Sequence, residues 1–424
     1  MNKRTLLSAL CLTLSFSHFA QADETIKVWS WDIAADALKK LTPAFEKQHP
    51  GVKVEVIDMG PQQIYDQALA GCSAGGINLP DVLTLENQAA ERYWHSFPNC
   101  FSTLNEFGIE EYRDQFASFK WSELQKGDNI YAMPWDSGPV VLFYRRDMYE
   151  KAGIKADDIK TWDDYIAAGE KMKSAYNGQV KMALTNHATG DNWFSMMAGQ
   201  NGCSYFKNEG SEVQITINQP GCVDALTTLS KMVQNDLLGN GDWDGKLQGL
   251  RANKAATAMY GGWFEGSIRD FMPEQSGKWG VQLMPASKPG GVRASNNGGS
   301  ALAIPNNSKH KKLAYEFMTF ALTNKDNQIE MLKGGLIPSY LPATKDSYVH
   351  SDQPYWGGQK VWELMLNTLD DIPVVASTPY SVEAKDIYIF TQGKVLSGEY
   401  PDAQKALDKA AEQISKATGL KIAK

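Results

Sequence analysis

TIKVWSWDIAADALKKLTPAFEKQHPGVKVEVI, residues 25–57, decides the fold. Residues 25–29 read as a short apolar strand, and 30–32 as a turn. Asp32 is placed to cap a helix over 33–49, and 52–57 read as a second strand. Two tryptophans, Trp29 and Trp31, stand where the first strand ends. The pattern continues with a helix over 62–73, a short apolar strand over 81–85 and a helix over 88–96. Strands alternating with helices imply a parallel sheet flanked by helices. In such sheets ligands sit at the carboxyl ends of the strands. Trp31, Asp32, Glu86 and Asn87 all follow strands, so they are expected at one mouth.

Upstream, Lys3 and Arg4 precede an apolar run over 6–19 and the small-residue site Ala20-Gln21-Ala22. This is a secretory signal peptide over 1–22, too short to span a bilayer. Lipidation at Cys11 is the rival reading, but Leu10 stands where such a site wants a small residue. No later apolar run reaches the roughly 18 residues of a membrane span. Net charge is −7, and −9 without Lys3 and Arg4. An acidic chain with no basic block argues against nucleic acid and anionic membranes. The cluster Lys309-His310-Lys311-Lys312 reads as the start of a solvated helix. Four cysteines remain after residue 22, and an exported chain favours disulfides. Three connectivities are open. Local pairing, Cys72 with Cys100 and Cys203 with Cys222, closes loops of about 20–30 residues, each worth about 3 kcal/mol. There is no CxxC to suggest zinc, and His95 near Cys100 reads as a surface or packed histidine.

Further along, YAMPWDSGPVVLFYRR (131–146) sets Pro134, Gly138 and Pro139 between apolar runs, as a crossover between lobes would. Residues 140–144 read as a strand. Thr161 is a candidate helix cap, Asp191-Asn192-Trp193 a helix start, and 213–218 an exposed strand. Residues 256–264 read as a strand turning through glycines into a helix. Residues 295–299 form a second candidate crossover before a strand at 300–304. Residues 401–418 form an amphipathic helix stopped by Gly419.

Twelve tryptophans and 17 tyrosines supply the main chemical signal. Trp31, Trp135, Trp193, Trp263, Trp356 and Tyr380 fall in loops at element ends. Aromatic faces stack on the C–H faces of sugar rings, while Asp, Glu and Asn bind the hydroxyls. The competing reading is that each tryptophan fills a core. Asp32, Glu86, Asp136 and Glu265 leave a glycosidase open, because two carboxylates would suffice for hydrolysis. Gly71-Cys-Ser-Ala-Gly75 matches GxSxG, but a helix precedes Ser73 where a nucleophile elbow needs a strand; it reads as a helix C-terminus.

Together PAFEKQHPGVKVEV, LPDVLTLEN, AMPWDSGPVVLFYRRDMYEKAGI, TWDDYIAAG, YGGWFEGSI, NGGSALAIP and VLSGEYPDAQKALDKAAEQI, in this order, resemble the extracellular solute-binding proteins of bacterial sugar ABC transporters, the family that contains maltose-binding protein. WSWDIAA, PWDSGPV, ITINQPGC, SGKWGV and DQPYWGGQKVW look like its lactose-type members. The resemblance implies an α/β, two-lobed periplasmic binding protein fold with parallel-rich sheets and a hinge crossed more than once. On that basis lobe 1 is expected over 23–134 plus 297–345, and lobe 2 over 135–296 plus 346–424. A sugar, with lactose or a related galactoside suspected, is expected between closing lobes. The implied ligand-binding residues are Trp31, Asp32, Glu86, Asn87, Trp135, Asp136, Trp193, Trp263 and Tyr380. The resemblance further implies a periplasmic monomer that delivers sugar to permease subunits, with no cofactor, no metal and no catalysis. A polyamine-binding protein of the same fold and a secreted glycosidase stand as alternatives.

Overall fold

The computed structural model describes residues 24–189, 192–209, 212–376 and 378–423. The expected signal peptide over 1–22, with Cys11, and also Asp191 lie outside the described residues. The chain opens with β1 (Glu24–Ser30), α1 (Asp32–Gln48), β2 (Val52–Asp58), α2 (Pro61–Ser73), β3 (Val82–Glu86) and α3 (Asn87–Ser96). The short α4 (Trp121–Leu124) and β4 (Ala132–Pro134) lead to the first crossover. The principal elements of the second lobe follow: β5 (Val140–Arg145), α5 (Trp162–Ala175), β6 (Lys181–Thr185), α6 (Trp193–Gln200), α7 (Pro220–Gln234), β7 (Leu238–Asn240), β8 (Ala255–Gly261), α8 (Phe264–Phe271) and β9 (Trp279–Leu283). The chain then returns through β10 (Ser300–Ala303), α9 (Lys311–Leu322) and α10 (Lys325–Lys333). Two helices near the C-terminus, α11 (Ser381–Leu396) and α12 (Ala403–Thr418), pack on α7 of the second lobe.

The described residues form two five-stranded sheets. One runs β2-β1-β3-β10-β4, with β1, β2 and β3 parallel and β10 antiparallel to both neighbours. The other runs β7-β6-β8-β5-β9, with β6 parallel to β7 and β8, and β5 antiparallel to β8 and β9. The central strands are largely apolar and buried, as strands covered on both faces are; β5 and β8 are buried at every residue.

Local chemistry explains the element ends. Helix α1 buries Ala34, Ala35, Leu38, Leu41 and Phe45, a stripe at helical spacing. Thr161 caps α5 in a reciprocal box with Asp164, as its position implied. Gly419 ends α12 in the left-handed region that only glycine enters without steric cost. Helix α2 ends at Ser73, so the GxSxG match is a helix C-terminus. His310 precedes α9, as expected of the basic cluster. Two expectations change. The side chain of Asp32 caps nothing. Asp32 takes φ +44° at the tight β1–α1 turn, and its N–H donates to Asp58 Oδ1 at 3.1 Å. Of 213–218, only 213–215 are strand, in a hairpin of Glu212–Ile215 against Phe206–Glu209.

The core has three parts. One crosses between the lobes, uniting Ile26, Phe45, Trp135, Phe143, Trp279 and Trp362. The other two lie one in each lobe: Ile64, Leu85 and Trp94 in the first, Trp162, Phe194 and Leu229 in the second. Cys72–Cys100 and Cys203–Cys222 are both disulfide-bonded, in the expected local pairing.

Candidate ligand-binding cleft

The crossovers run side by side. Asn297 N donates to Gly138 O at 2.8 Å, and Gly138 N donates to Asn296 Oδ1 at 3.0 Å. Gly138 permits this approach: a Cβ there would lie 2.0 Å from Asn297 O. Residues 337–339 form a third neighbour, with Ser137 N donating to Ile337 O and Ser339 N donating to Trp135 O. Lys120 draws these strands together. It is fully buried, and its Nζ donates to Asp136 O at 2.6 Å, Asn87 Oδ1 at 2.7 Å and Ser300 O at 3.2 Å. Burial pushes its pKa down to about 8, against the pull of Asp136 and Glu123.

Beside this hinge lies a cavity of about 360 Å³, floored by Ser295, Asn296 and Asn297. Its first wall comes from α2, α3 and α4, and its second from α6, α11 and the segments around 203–206 and 373–376. Helical spacing aims the side chains: Tyr65 and Leu69 on α2, Ala89 and Tyr93 on α3, Ser381, Lys385 and Tyr388 on α11. Tyr93 Oη donates to Tyr65 O at 3.1 Å. Opposite, Tyr205 stacks on Phe194 with centroids 5.7 Å apart and 16° between planes, and meets Tyr388 at 4.6 Å. Both walls are therefore aromatic with polar tips.

The polar tips are poorly satisfied within the chain. Tyr65 Oη, Tyr205 Oη and Glu123 Oε2 are buried and have no hydrogen-bond partner among the described residues. Tyr65 faces the Glu86 carboxylate and Tyr205 faces Ser195, but neither pair reaches hydrogen-bond geometry. Each such group costs about 1–3 kcal/mol unless something else bonds it. Glu86 is open to the cavity yet walled by protein. Desolvation raises its pKa, Tyr65 and the opposing Lys385 lower it, and Asp136 raises it further. Burial likewise pushes the Glu123 carboxyl upward, against Lys120 and Asn87. The site thus offers carboxylate acceptors, hydroxyls and apolar ring faces within one space, the mixture an amphipathic polyol requires.

Of the nine residues expected to bind ligand, Glu86 lines this cavity. Trp31 is half-buried and backs the wall, its ring edge-on to Tyr65 at 6.1 Å. Asp32 is exposed at the β1–α1 turn. Asn87 is buried and spends its Oδ1 on Lys120. Trp135 and Trp193 take core positions instead, each with at most 1% exposure. Strand β4 carries Trp135 inward, where its Nε1 donates to Met331 Sδ at 3.0 Å, and the first turn of α6 faces Trp193 into the second lobe's own core. Asp136 is also buried; its Oδ1 accepts from Ser300 N at 2.8 Å and Ser300 Oγ at 2.5 Å, so it ties the crossovers. Trp263 is half-buried over the hinge, donating from Nε1 to Asn297 O at 2.9 Å and stacking on Trp243 at 6.2 Å. Tyr380 is half-buried, one residue before the cavity-lining Ser381.

Tyr65, Tyr93, Glu123, Tyr205, Lys385 and Tyr388 escaped the sequence reading. Five sit on helix faces and Tyr205 just ahead of a hairpin, and which face meets the opposite lobe is set by lobe packing. The helical repeat at 381, 385 and 388 was the one available signal.

Among known proteins, a lactose-binding protein from Rhizobium radiobacter is 28% identical over 88% of this chain and 86% of its own. An arabinooligosaccharide-binding protein from Bacillus subtilis is 25% identical over 88% of each. The solved ABC transporter associated binding protein from B. animalis subsp. lactis, in complex with β-1,6-galactobiose, superposes with a TM-score of 0.77 at 25% identity, over 95% of this chain and all of that one. Residues 31–328 match the family described as bacterial extracellular solute-binding protein. These are binding proteins that serve ABC transporters, not enzymes, which removes the glycosidase alternative. Family membership also sets the place of work outside the cytoplasmic membrane. With its two sheeted lobes, its paired crossovers and a cavity between them, the chain belongs to the bacterial extracellular solute-binding proteins.

Proposed function

We propose that this chain captures a neutral galactoside or related short oligosaccharide in the periplasm and delivers it to the permease of an ABC importer. Lobe 1, over 23–134 plus 297–345, and lobe 2, over 135–296 plus 346–424, close around the sugar; binding favours the closed state because only there do both walls touch it. The observation that carries this reading is the cavity with tyrosines on both walls and with Glu86 and Lys385 open to it from opposite sides. Sugar hydroxyls bond to those two side chains, and the rings of Tyr205 and Tyr388 cover a sugar face. Glu86 accepts from the ligand, with Trp31 and Trp263 bracing the wall and hinge. The volume lies at the low end of the roughly 300–1,000 Å³ usual for small-molecule sites, which suits a short sugar. The lactose- and galactobiose-binding relatives support the galactoside, and the arabinooligosaccharide-binding one keeps the panel broad.

The test is titration calorimetry with lactose, β-1,6-galactobiose, arabinobiose, maltose, sn-glycerol-3-phosphate and spermidine. A galactoside should bind, and Tyr388→Ala should weaken it by about ten- to a hundredfold, the equivalent of roughly 1.4–2.8 kcal/mol. Binding of spermidine or glycerol phosphate alone would overturn the reading.

A further inference from the structure

The two disulfides occupy corresponding places. Cys72 lies in the last turn of α2, the helix that brings Tyr65 to the cavity. Its partner Cys100 follows the end of α3, the helix that brings Tyr93. Across the cavity, Cys203 follows α6 and stands two residues before Tyr205. Its partner Cys222 lies in the first turn of α7. All four are at least nine-tenths buried. They belong to the two lobe-specific cores beside the cavity, and the core shared between the lobes contains none.

The second bond is reinforced where it meets α7. Asn201 Nδ2 donates to Gly221 O at 3.1 Å, and a Cβ on Gly221 would press 3.1 Å from Asn201 O. Asn201 and Cys203 thus tie the segment before Tyr205 to the start of α7. Tyr205 then stacks on Phe194 and meets Tyr388 at a tilt.

We infer that the disulfides are positioning devices for ligand binding, one for each wall of the cavity. Cys72–Cys100 fixes the far ends of the two helices that carry Tyr65 and Tyr93, and Cys203–Cys222 fixes the segment that carries Tyr205. Both bonds set the spacing of aromatic faces that the chain would otherwise leave to weaker contacts. This rests on the sugar-binding reading above.

Calorimetry with lactose, β-1,6-galactobiose and arabinobiose tests it on wild type, Cys203→Ser/Cys222→Ser, Cys72→Ser/Cys100→Ser, Tyr205→Ala and the combination of Tyr205→Ala with Cys203→Ser/Cys222→Ser. Opening Cys203–Cys222 should weaken the bound panel sugar about tenfold, or 1.4 kcal/mol. Added to Tyr205→Ala it should cost little more, because the bond acts through that ring. Opening Cys72–Cys100 should also weaken binding. If the serine variants fail to fold, the folded wild type is treated with a water-soluble phosphine. Each phosphine gives two electrons to one S–S bond and leaves as its oxide with a water oxygen, while the two sulfurs take up protons. Sugar titration of the reduced protein then gives the same readout. Unchanged affinity with a lowered melting temperature, or losses that simply add, would overturn the inference and leave the sugar reading intact. A wild type that binds none of the three sugars refutes the galactoside reading, and the inference with it.

Discussion

Replacing Lys120 by Met should loosen the hinge and flatten one limb of the stability–pH curve. Met conserves most of the volume, so the loss is chiefly polar. Three buried oxygens, Asn87 Oδ1, Asp136 O and Ser300 O, lose their shared donor. Each left unbonded costs about 1–3 kcal/mol, while removing a buried charge returns part of that. Breaking one member of a buried charged network typically leaves a net loss of about 3–5 kcal/mol, which we expect here at pH 7. The pH dependence has a fixed sign. The folded pKa of about 8 lies below the ordinary lysine value, so between about 8 and 10.5 the unfolded chain holds a proton that the folded one has released. Stability rises with pH where the unfolded state binds more protons, so wild type should gain stability through that window. Buried tyrosines oppose this above pH 10. Burial pushes Tyr93 and Tyr388 up to about 12, so they keep protons when folded that they lose when unfolded. Lys120→Met keeps the tyrosine limb and loses the lysine limb. Urea unfolding of both proteins from pH 7 to 10 measures this. A variant within 1 kcal/mol of wild type at pH 7, with an unchanged slope from 8 to 10, would refute the reasoning.

Gly138→Ala forces a Cβ against Asn297 O, the oxygen that also accepts from Trp263. It should separate the crossovers and cost roughly 1–3 kcal/mol, read as a lowered urea midpoint; an unshifted midpoint would show that the strands yield freely. Thr161→Ala removes the α5 cap, so it should cost about 1 kcal/mol and leave sugar affinity unchanged, since Thr161 lies outside the cavity lining. A matching change in the binding isotherm would tell against that separation.

The elements that were legible in the sequence carry their reasons locally. The β-α-β opening, the Thr161 cap, the Gly419 stop and the glycine-rich turn after β8 each depend on neighbours a few residues away. The disulfide pairing was legible because both loops are short, with sequence separations of 28 and 19. Of the residues that line the cavity, Glu86 was legible because a strand ends there. Trp135 and Trp193 misled because a tryptophan beside a proline or at a helix start does not say which side of a sheet it enters. Asp136 misled because a carboxylate that ties backbone together has the same neighbours in sequence as one that awaits a ligand. Tyr65, Tyr93, Tyr205 and Tyr388 were hidden because only the packing of two lobes decides which faces look across the gap.

Strand β10 sits between β3 and β4 in the first sheet, yet it is residues 300–303 of the chain. Until those residues emerge from the ribosome, β3 and β4 have no strand between them, and their backbone groups wait for it. The first lobe is begun early and finished late, and the intervening 160 or so residues must loop out before its ends can meet. Closing so long a loop makes folding a slow, non-local event. The second sheet takes all five of its strands from residues 140–283, so its pairing can be complete while the first sheet still lacks β10.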